Sequence, residues 1–418
     1  MAQARDYAIT IIGAGAAGLM AAIFAGRHAP PGTRITLLDG AKRLGAKILV
    51  SGGGRCNVTH AEVSAKDYAG SNRNQIAKVL RTFPVEQTVR FFHELNVPLK
   101  REDTGKLFPE TDRAKTVLEA LLREVNRTGA EILTEHRVLS VEYDGSAFAM
   151  ETPQGEIRSQ KLILATGGKS LPKTGSDGQG YELARSLGHT VNPTFPALVP
   201  LVLEPGHWLT TLSGLTLPVE LTLFSGRGQV LHRHQGSMLL THFGLSGPVV
   251  MDLSRYWIAA KQSDPTVRLH ANLLPGHRFD EVEQMLVSAT STHGRSGIAG
   301  WLSDHLPRRL AVELVRRGID EDPAAKLSQL SKTKRRKLAH VLTSLPLPVI
   351  RDRGYLFAEA TAGGVPLSEL HLSTMASRCC PGLYLCGEML DVDGRIGGFN
   401  FQWAWCSGRL AGMSAAIG

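Results

Sequence analysis

The N-terminal part of the chain alternates between apolar runs and a cluster of glycines. Residues 7–12 are apolar and β-branched, which is typical of a buried parallel strand. Glycines follow within 13–18, and residues 16–27 are rich in alanine, as a helix would be. A second apolar run, 35–38, ends at Asp39. The pattern predicts a βαβ unit of about 33 residues.

Farther along the chain the periodicity changes several times. Residues 75–95 and 112–127 carry apolar positions at helical spacing, and 131–164 contain short strands. Alternation over 190–270 predicts antiparallel β-structure. Residues 278–340 are helical in pattern and basic, and the rest of the chain returns to glycine-rich strands and turns.

These changes predict an α/β protein with a Rossmann-like, two-dinucleotide-binding-domain type of nucleotide domain built from both ends of the chain. We expect residues 1–190 and 350–418 to form this discontinuous domain. A β-rich domain is expected at 191–275 and a basic helical subdomain at 276–349, both inserted between its two parts.

Composition narrows the class of protein. The chain has 418 residues, 43% of them hydrophobic and 20% charged, which is typical of a globular protein and excludes a disordered one. Five cysteines are too few, and odd in number, for a disulfide framework, so we expect a cytoplasmic protein. Residues 7–26 are uncharged and as long as a membrane span, but glycines interrupt them, and we expect no membrane segment.

The glycine cluster has the spacing of a dinucleotide-binding turn. Gly13 permits the tight turn, Gly15 lets the backbone approach a pyrophosphate, and Gly18 lets the helix pack closely on the strand. The helix N-terminus supplies N–H groups for phosphate oxygens. Asp39 lies where a carboxylate accepts hydrogen bonds from ribose hydroxyls. The alternative is a glycine-rich turn that binds nothing.

Two later motifs favour FAD over NAD as the resident cofactor. ATGG at 165–168 ends a buried strand and resembles the second turn of FAD-binding flavoproteins. GLYLCGE at 382–388 resembles their C-terminal motif, in which an acidic residue, here Glu388, holds the ribityl chain. Because no second complete G-x-G-x-x-G occurs, NAD(P)H is expected to bind only transiently, as the electron donor.

Six motifs occur together and in order: KILVSGGGRCNVTH at 47–60, GKLFP at 105–109, LPKTGSDGQGYELARSLGH at 171–189, THFGLSGP at 241–248, TAGGV at 361–365 and GLYLCGEMLDVDGRIGGFNFQWAWCSG at 382–408. They resemble the bacterial YhiN/BaiN/RdsA-type FAD-dependent flavoproteins over nearly the whole chain. The resemblance implies an oxidoreductase with an FAD domain, an inserted β domain and a helical subdomain. It leaves the substrate open, since members are described as small-molecule oxidases or reductases and as a ribosomal RNA dihydrouridine synthase.

The resemblance also implies which residues contact FAD. They are Gly13, Gly15, Ala16, Ala17, Gly18, Asp39, Lys47, Ser51, Gly52, Gly53, Gly54, Arg55, Cys56, Asn57, Val138, Ala165, Thr166, Gly167, Gly387, Glu388, Gly398, Phe399 and Asn400.

Chemistry at the flavin is expected from Arg55, Cys56 and Asn400. The three glycines before Arg55 let the backbone pass against a flat ring, and its guanidinium has the donors to fix a phosphate or carbonyl oxygen. Cys56 is either a proton donor beside the flavin or a small buried side chain. GGFN at 397–400 either begins a helix whose N–H groups stabilise the reduced ring, or forms a packing turn.

Positive charge is concentrated at 308–337, which holds ten basic and four acidic residues and so two thirds of the net charge of +9. Such a segment either binds nucleic acid phosphates or is a solvated helical face. The RNA-binding residues predicted here are Arg308, Arg309, Arg316, Arg317, Lys332, Lys334, Arg335, Arg336 and Lys337.

Three functions are consistent with these features. In the first, hydride from reduced FAD converts a uridine of ribosomal RNA to dihydrouridine. In the second, the chain reduces an activated C=C bond or oxidises an amine of a small molecule. In the third, it binds RNA without catalysis. No metal site is expected, because His232, His234 and His242 lack Cys or acidic partners at a suitable spacing.

Overall fold

The computed structural model of the chain describes residues 5–418. The chain divides into two compact units, Met1–Pro196 with Ala358–Gly418, and Ala197–Phe357. The first is called here the flavin unit and the second the inserted unit. The finer division of the inserted segment at residue 275 stays a proposal.

The strands are short except at the two sheet centres. In chain order they are β1 Arg5–Ile12, β2 Ile35–Leu38, β3 Thr59–His60, β4 Tyr68–Gly70, β5 Leu99–Arg101, β6 Lys106–Pro109, β7 Glu131–Leu133, β8 Ser140–Tyr143, β9 Phe148–Thr152, β10 Gly155–Leu164, β11 Asn192–Ala197, β12 Leu201–Leu203, β13 Thr216–Phe224, β14 Val230–Thr241, β15 Gly244–Ser246, β16 Arg268–Asn272, β17 Leu345–Leu347, β18 Val349–Asp352, β19 Ala360–Gly364, β20 Leu370–His371, β21 Ala376–Ser377, β22 Leu383–Leu385 and β23 Val392–Gly394.

The helices are α1 Ala16–His28, α2 Ala46–Val50, α3 Arg73–Leu80, α4 Val85–Glu94, α5 Ala114–Arg127, α6 Gln179–Ser186, α7 Pro248–Ser263, α8 Phe279–Thr292, α9 Ile298–Leu302, α10 Arg308–Glu313, α11 Lys332–Thr343 and α12 Phe399–Ile417. A π turn at Leu314–Gly318 follows α10. Short 3₁₀ segments lie at Ser51–Gly54, Ala65–Asp67, Pro172–Thr174, Trp208–Leu212, Leu327–Gln329, Leu367–Glu369 and Gly387–Met389.

The flavin unit is built on a sheet in the order β20-β21-β22-β10-β1-β2-β7. Its four central pairings, from β22 to β7, are parallel, which confirms the predicted α/β class. Parallel strands end at one edge, and hydrogen bonds continue there past the strand ends. Gly13 N–H donates to Leu38 O at 2.8 Å, and Cys386 N–H to Leu164 O at 3.0 Å.

Two helices, α1 and α12, pack against each other in the core of the flavin unit. Both are apolar nearly all round and largely buried, as a helix enclosed by protein should be. Glycines of α12 allow the close approach, because a Cβ added at Gly408 would lie 2.3 Å from Ala17 O, and one at Gly412 would lie 2.1 Å from Ala21 O.

The inserted unit is built on an antiparallel sheet in the order β17-β16-β13-β14-β15-β12-β18. The long hairpin of β13 and β14 forms its centre, and α7 packs on β14. Helices α8 to α11 follow β16 in the chain, and α11 packs against α8.

Two sequence predictions are wrong in detail. The single helix expected over 75–95 is two helices, because Pro84 disfavours helical backbone at the residue before it and caps α4 instead. The β-structure expected over 190–270 is interrupted by α7, whose first residue is Pro248, a residue suited to the first helical position. Within residues 5–418, no helix is both long and apolar enough to cross a bilayer.

The packing of α1 on α12 predicts the effect of one added methyl group. We expect Gly412→Ala to lower the free energy of unfolding by about 2–3 kcal/mol, because the new Cβ meets rigid backbone. Gly300→Ala, in α9, is the matched control, since a Cβ there meets nothing within 4 Å. Urea titrations of the two variants check this; equal midpoints would contradict the packing argument.

Candidate cofactor site

The turn between β1 and α1 is closed by backbone contacts. Gly13 has φ +103°, and a Cβ there would lie 2.5 Å from Ala165 O. A Cβ at Gly18 would lie 1.8 Å from Gly13 O. Both glycines are therefore required by the fold of the turn itself, whether or not a ligand is bound.

Gly15 differs from its two neighbours. A Cβ added there meets nothing within 4 Å, so the space beside it is open. Gly15 caps the N-terminus of α1, whose first turn contains Ala16 and Ala17. The first N–H groups of a helix lack partners within the helix and attract anions. The open space at Gly15 is thus where a pyrophosphate would fit.

Asp39 is fixed at the end of β2 by two backbone donors. Its Oδ2 accepts from Ala14 N–H and its Oδ1 from Ala41 N–H, both at 2.8 Å. Each carboxylate oxygen has a further lone pair, so the group can still accept hydrogen bonds from the hydroxyls of a ribose.

A polar cluster joins residues distant in the chain. Lys47 forms an ion pair with Glu388 and donates to Ser170 Oγ at 2.7 Å. Ser170 Oγ–H donates to Glu388 Oε1 at 2.8 Å, and Thr361 N–H donates to the same oxygen at 2.9 Å. The structure thus brings together two predicted residues, Lys47 and Glu388. Ser170 and Thr361 were not predicted, although both lie in or beside quoted motifs.

Two glycines, Gly397 and Gly398, precede the first residue of α12. Gly398 has φ +94°, and a Cβ there would lie 2.6 Å from the carbonyl carbon of Thr59. Asn400 holds the preceding loop, because its amide donates to Gly394 O at 3.0 Å and its Oδ1 accepts from Gly394 N–H at 2.8 Å. Phe399 stacks on His60 with ring centroids 4.9 Å apart. Asn400 is therefore engaged with backbone, which favours a positioning role.

The segment from Ser51 to Asn57 has an unusual backbone. Gly52, Gly53 and Gly54 all have positive φ, and so does Cys56, at 61°. Cys56 is fully buried, and burial raises the pKa of its thiol to about 12. Since no part of the thiol reaches the surface, its environment favours the alternative of a small packed side chain over that of a proton donor.

Arg55 and Asn57, beside Cys56, differ in how they are satisfied. The Arg55 guanidinium lies 3.9 Å from the ring centroid of Phe108 and donates to Glu102 Oε1 at 2.6 Å, with Asp112 Oδ1 at 3.6 Å. Asn57 is buried, and its Oδ1 has no hydrogen-bond partner among residues 5–418. Arg55 thus already has anionic partners, whereas Asn57 retains an unused acceptor.

The other predicted contacts lie at the same edge of the sheet or beside it. Ala165, Thr166 and Gly167 follow β10, and Gly167 has φ +74°. Gly387 follows β22, and its N–H donates to Ser407 Oγ at 3.0 Å. Val138 is buried, and its carbonyl accepts from Gln179 Nε2 at 3.0 Å.

The nine predicted RNA-binding residues all lie in the inserted unit. Five of them have carboxylate partners: Arg316 and Arg317 contact Glu313, Lys334 contacts Glu321, and Arg335 and Arg336 approach Glu283. Arg309 donates to Thr211 O at 3.1 Å. Arg308, Lys332 and Lys337 are exposed and have no ion pair within the described part of the chain. Trp301, the nearest aromatic residue in sequence, is buried.

Comparison with known proteins identifies the family. The family model of the HI0933-like protein Rossmann domain matches residues 7–414. The chain belongs to this family. It is an FAD-dependent oxidoreductase, as the resemblance implied.

Curated relatives match along nearly their whole length. A 3-dehydro-bile acid delta(4,6)-reductase of Clostridium scindens is 34% identical, with 98% of each chain covered. Ribosomal RNA dihydrouridine synthases of Escherichia coli and Haemophilus influenzae are 35% and 33% identical, with 95% and 97% of each chain covered. A solved flavocytochrome c3 fumarate reductase is 15% identical, with 99% of this chain and 79% of that chain covered, at a TM-score of 0.49.

The residues at this edge of the sheet fit FAD. The space at Gly15 is open, the Asp39 carboxylate keeps unused lone pairs, and Asn57 Oδ1 lacks a partner within residues 5–418. The individual contacts predicted from the sequence stay proposals.

The difference between Gly15 and Gly18 predicts two distinct effects. We expect Gly15→Val to leave the thermal midpoint of the FAD-free protein unchanged, since the side chain would occupy open space. The same side chain would block contacts with the phosphates, so the amount of bound FAD should fall by about one order of magnitude or more. Gly18→Val should instead lower the midpoint itself. The ratio of flavin to protein absorbance and thermal unfolding check this. Full FAD content in Gly15→Val would contradict the placement of the pyrophosphate.

The burial of Cys56 predicts its reactivity and its effect on turnover. A thiol with a pKa near 12 stays protonated at neutral pH, so in the native protein a disulfide reagent should label the exposed Cys379 and not Cys56. We expect Cys56→Ala to keep turnover within a few fold, with Cys379→Ala as control. A loss of about 100-fold or more would show instead that Cys56 is the general acid.

Proposed function

We propose that the chain reduces uridine in ribosomal RNA to dihydrouridine, with NAD(P)H as a transient electron donor. The observation that carries this proposal is that Arg308, Lys332 and Lys337 of the inserted unit, called here the basic surface, are exposed cations without ion pairs in residues 5–418. Two relatives at 33–35% identity are named ribosomal RNA dihydrouridine synthases, which agrees with an RNA substrate.

The charge of the inserted unit supports an anionic substrate. Residues 197–357 hold nineteen basic and thirteen acidic side chains, which is six of the nine net positive charges of the chain. On α11, Lys332 and Arg336 are four residues apart and lie on one face of the helix, and Lys337 is exposed on a neighbouring face. Cations without protein partners release counterions from nucleic acid on binding, and this gives most of the affinity for a phosphate backbone.

The flavin unit would supply the redox chemistry. Reduced FAD, when bound, would supply a hydride to C6 of a uracil ring, and a proton from a general acid to C5 would complete the reduction of the double bond. Asn400 holds the N-terminus of α12 against Gly394, and this positive helix end would stabilise negative charge on a reduced flavin bound beside it.

A second candidate is a reductase of a small unsaturated molecule. The ion pairs of residues 308–337 favour it, because Glu313 and Glu321 of this segment and Glu283 of α8 neutralise much of its positive charge. The relative named 3-dehydro-bile acid delta(4,6)-reductase is as similar as the two named for RNA. Under this alternative, charge reversal on the basic surface leaves turnover unchanged.

Nucleoside mass spectrometry of ribosomal RNA separates the two candidates. A strain lacking the gene should lose a dihydrouridine that the intact gene restores. The variant Lys332→Glu with Lys337→Glu should restore it on the order of tenfold more slowly, since two phosphate contacts become repulsive. The matched control is Arg227→Glu with Arg295→Glu, which makes the same charge change at exposed positions of the same unit. Equal restoration by both variants would contradict the proposal.

A further inference from the structure

The inserted unit contains an arginine held between two aromatic rings. The guanidinium carbon of Arg353 lies 4.2 Å from the ring centroid of Phe243 and 3.4 Å from that of Phe357. Both rings lie within cation–π distance of the guanidinium, and these two contacts restrict the positions that the side chain can take.

The backbone around this stack is fixed by the sheet. Arg353 follows β18, and its N–H donates to Pro200 O at 3.1 Å, next to the pairing of β18 with β12. Phe243 lies in the turn between β14 and β15, and its carbonyl accepts from Leu203 N–H at 3.1 Å. Phe357 N–H donates to Gly354 O at 3.1 Å, which closes a turn after Arg353. The three side chains are thus positioned by neighbouring strands of one sheet.

The guanidinium N–H groups of Arg353 have no acceptor among residues 5–418. Among residues 5–418 its side chain has neither an ion pair nor a hydrogen bond, although the residue is only partly exposed. Beside it, 44% of Phe357 and 56% of Leu356 are exposed. A planar apolar face therefore lies next to an oriented set of N–H donors without acceptors.

We propose that Phe243, Arg353 and Phe357 form a platform that receives the pyrimidine base of a uridine nucleotide. The exposed part of Phe357 stacks on the base, and the Arg353 donors bind a carbonyl oxygen of the base. This inference rests on the proposed function and names residues of the inserted unit that bind a uridine of the RNA. A base is favoured over an apolar protein partner because the unpaired guanidinium requires an acceptor and the unit has a net positive charge.

A binding experiment with two matched oligonucleotides tests the platform. The probes are a fluorescein-labelled single strand of about eight nucleotides with one central uridine, and the same strand with an abasic site there. Fluorescence anisotropy at one fixed salt concentration gives both dissociation constants. The holoenzyme should bind the uridine strand about tenfold more tightly than the abasic strand, as expected for one stacked base.

The variants separate stacking from charge and from folding. Phe357→Ala and Arg353→Lys should bring the ratio of the two constants close to one, while Phe357→Tyr keeps it. Leu356→Ala is the control, since it removes a neighbouring exposed side chain without removing a ring. Bound FAD and the thermal midpoint are measured for every variant, and a variant that has lost either is replaced by Phe357→Leu.

The same samples are assayed for dihydrouridine, so that the two proposals can fail separately. If wild type forms dihydrouridine but Phe357→Ala and Arg353→Lys keep the preference for uridine, the platform is overturned and the proposed function stands. If no ribosomal RNA is reduced and wild type does not distinguish the two strands, both are overturned. If only a small planar ketone is reduced and Phe357→Ala raises its KM, the platform takes that ligand and the uridine assignment is wrong.

Discussion

The contact between Gly13 and Gly18 is the constraint on which the cofactor site depends. A Cβ at Gly18 would lie 1.8 Å from Gly13 O, so helix α1 can begin this close to the end of β1 only with glycine at that position. The close start places the N-terminus of α1 at the edge where β2, β10 and β22 also end. Gly15 is then left beside open space, with helix N–H groups next to it.

The rest of the site is held by polar contacts over long sequence distances. Lys47 and Glu388 are 341 positions apart, and Ser170 and Thr361 complete their hydrogen bonds. Helix α12 packs on α1 through two glycines, and its Trp403 Nε1–H donates to Gly387 O at 3.1 Å, next to Glu388. The first and last parts of the chain therefore form one unit because each supplies groups that the other leaves unsatisfied.

Much of this site could be predicted from the sequence, because glycine spacing and strand-ending acids are local signals. Gly13, Gly15, Gly18 and Asp39 lie within one βαβ unit, which the structure forms, while their contacts with FAD stay predictions. Ser170 and Thr361 could not be assigned, since their role exists only once β10, β19 and β22 are assembled. Counting charges along the sequence likewise does not show that Glu313, Glu321 and Glu283 form ion pairs. No pattern in the sequence indicates a role for Arg353, because its contacts with the two rings depend on the register of β12 with β18.

Single-turnover reduction of ribosomal RNA by the pre-reduced holoenzyme tests the central claim most directly. The protein is reduced without oxygen, freed of excess donor and mixed with ribosomal RNA from a strain that lacks the gene. Flavin absorbance and dihydrouridine content are followed together. The account predicts that the flavin is reoxidised and that one dihydrouridine forms per flavin. A flavin that stays reduced with this RNA but is promptly reoxidised by a small conjugated ketone would contradict it.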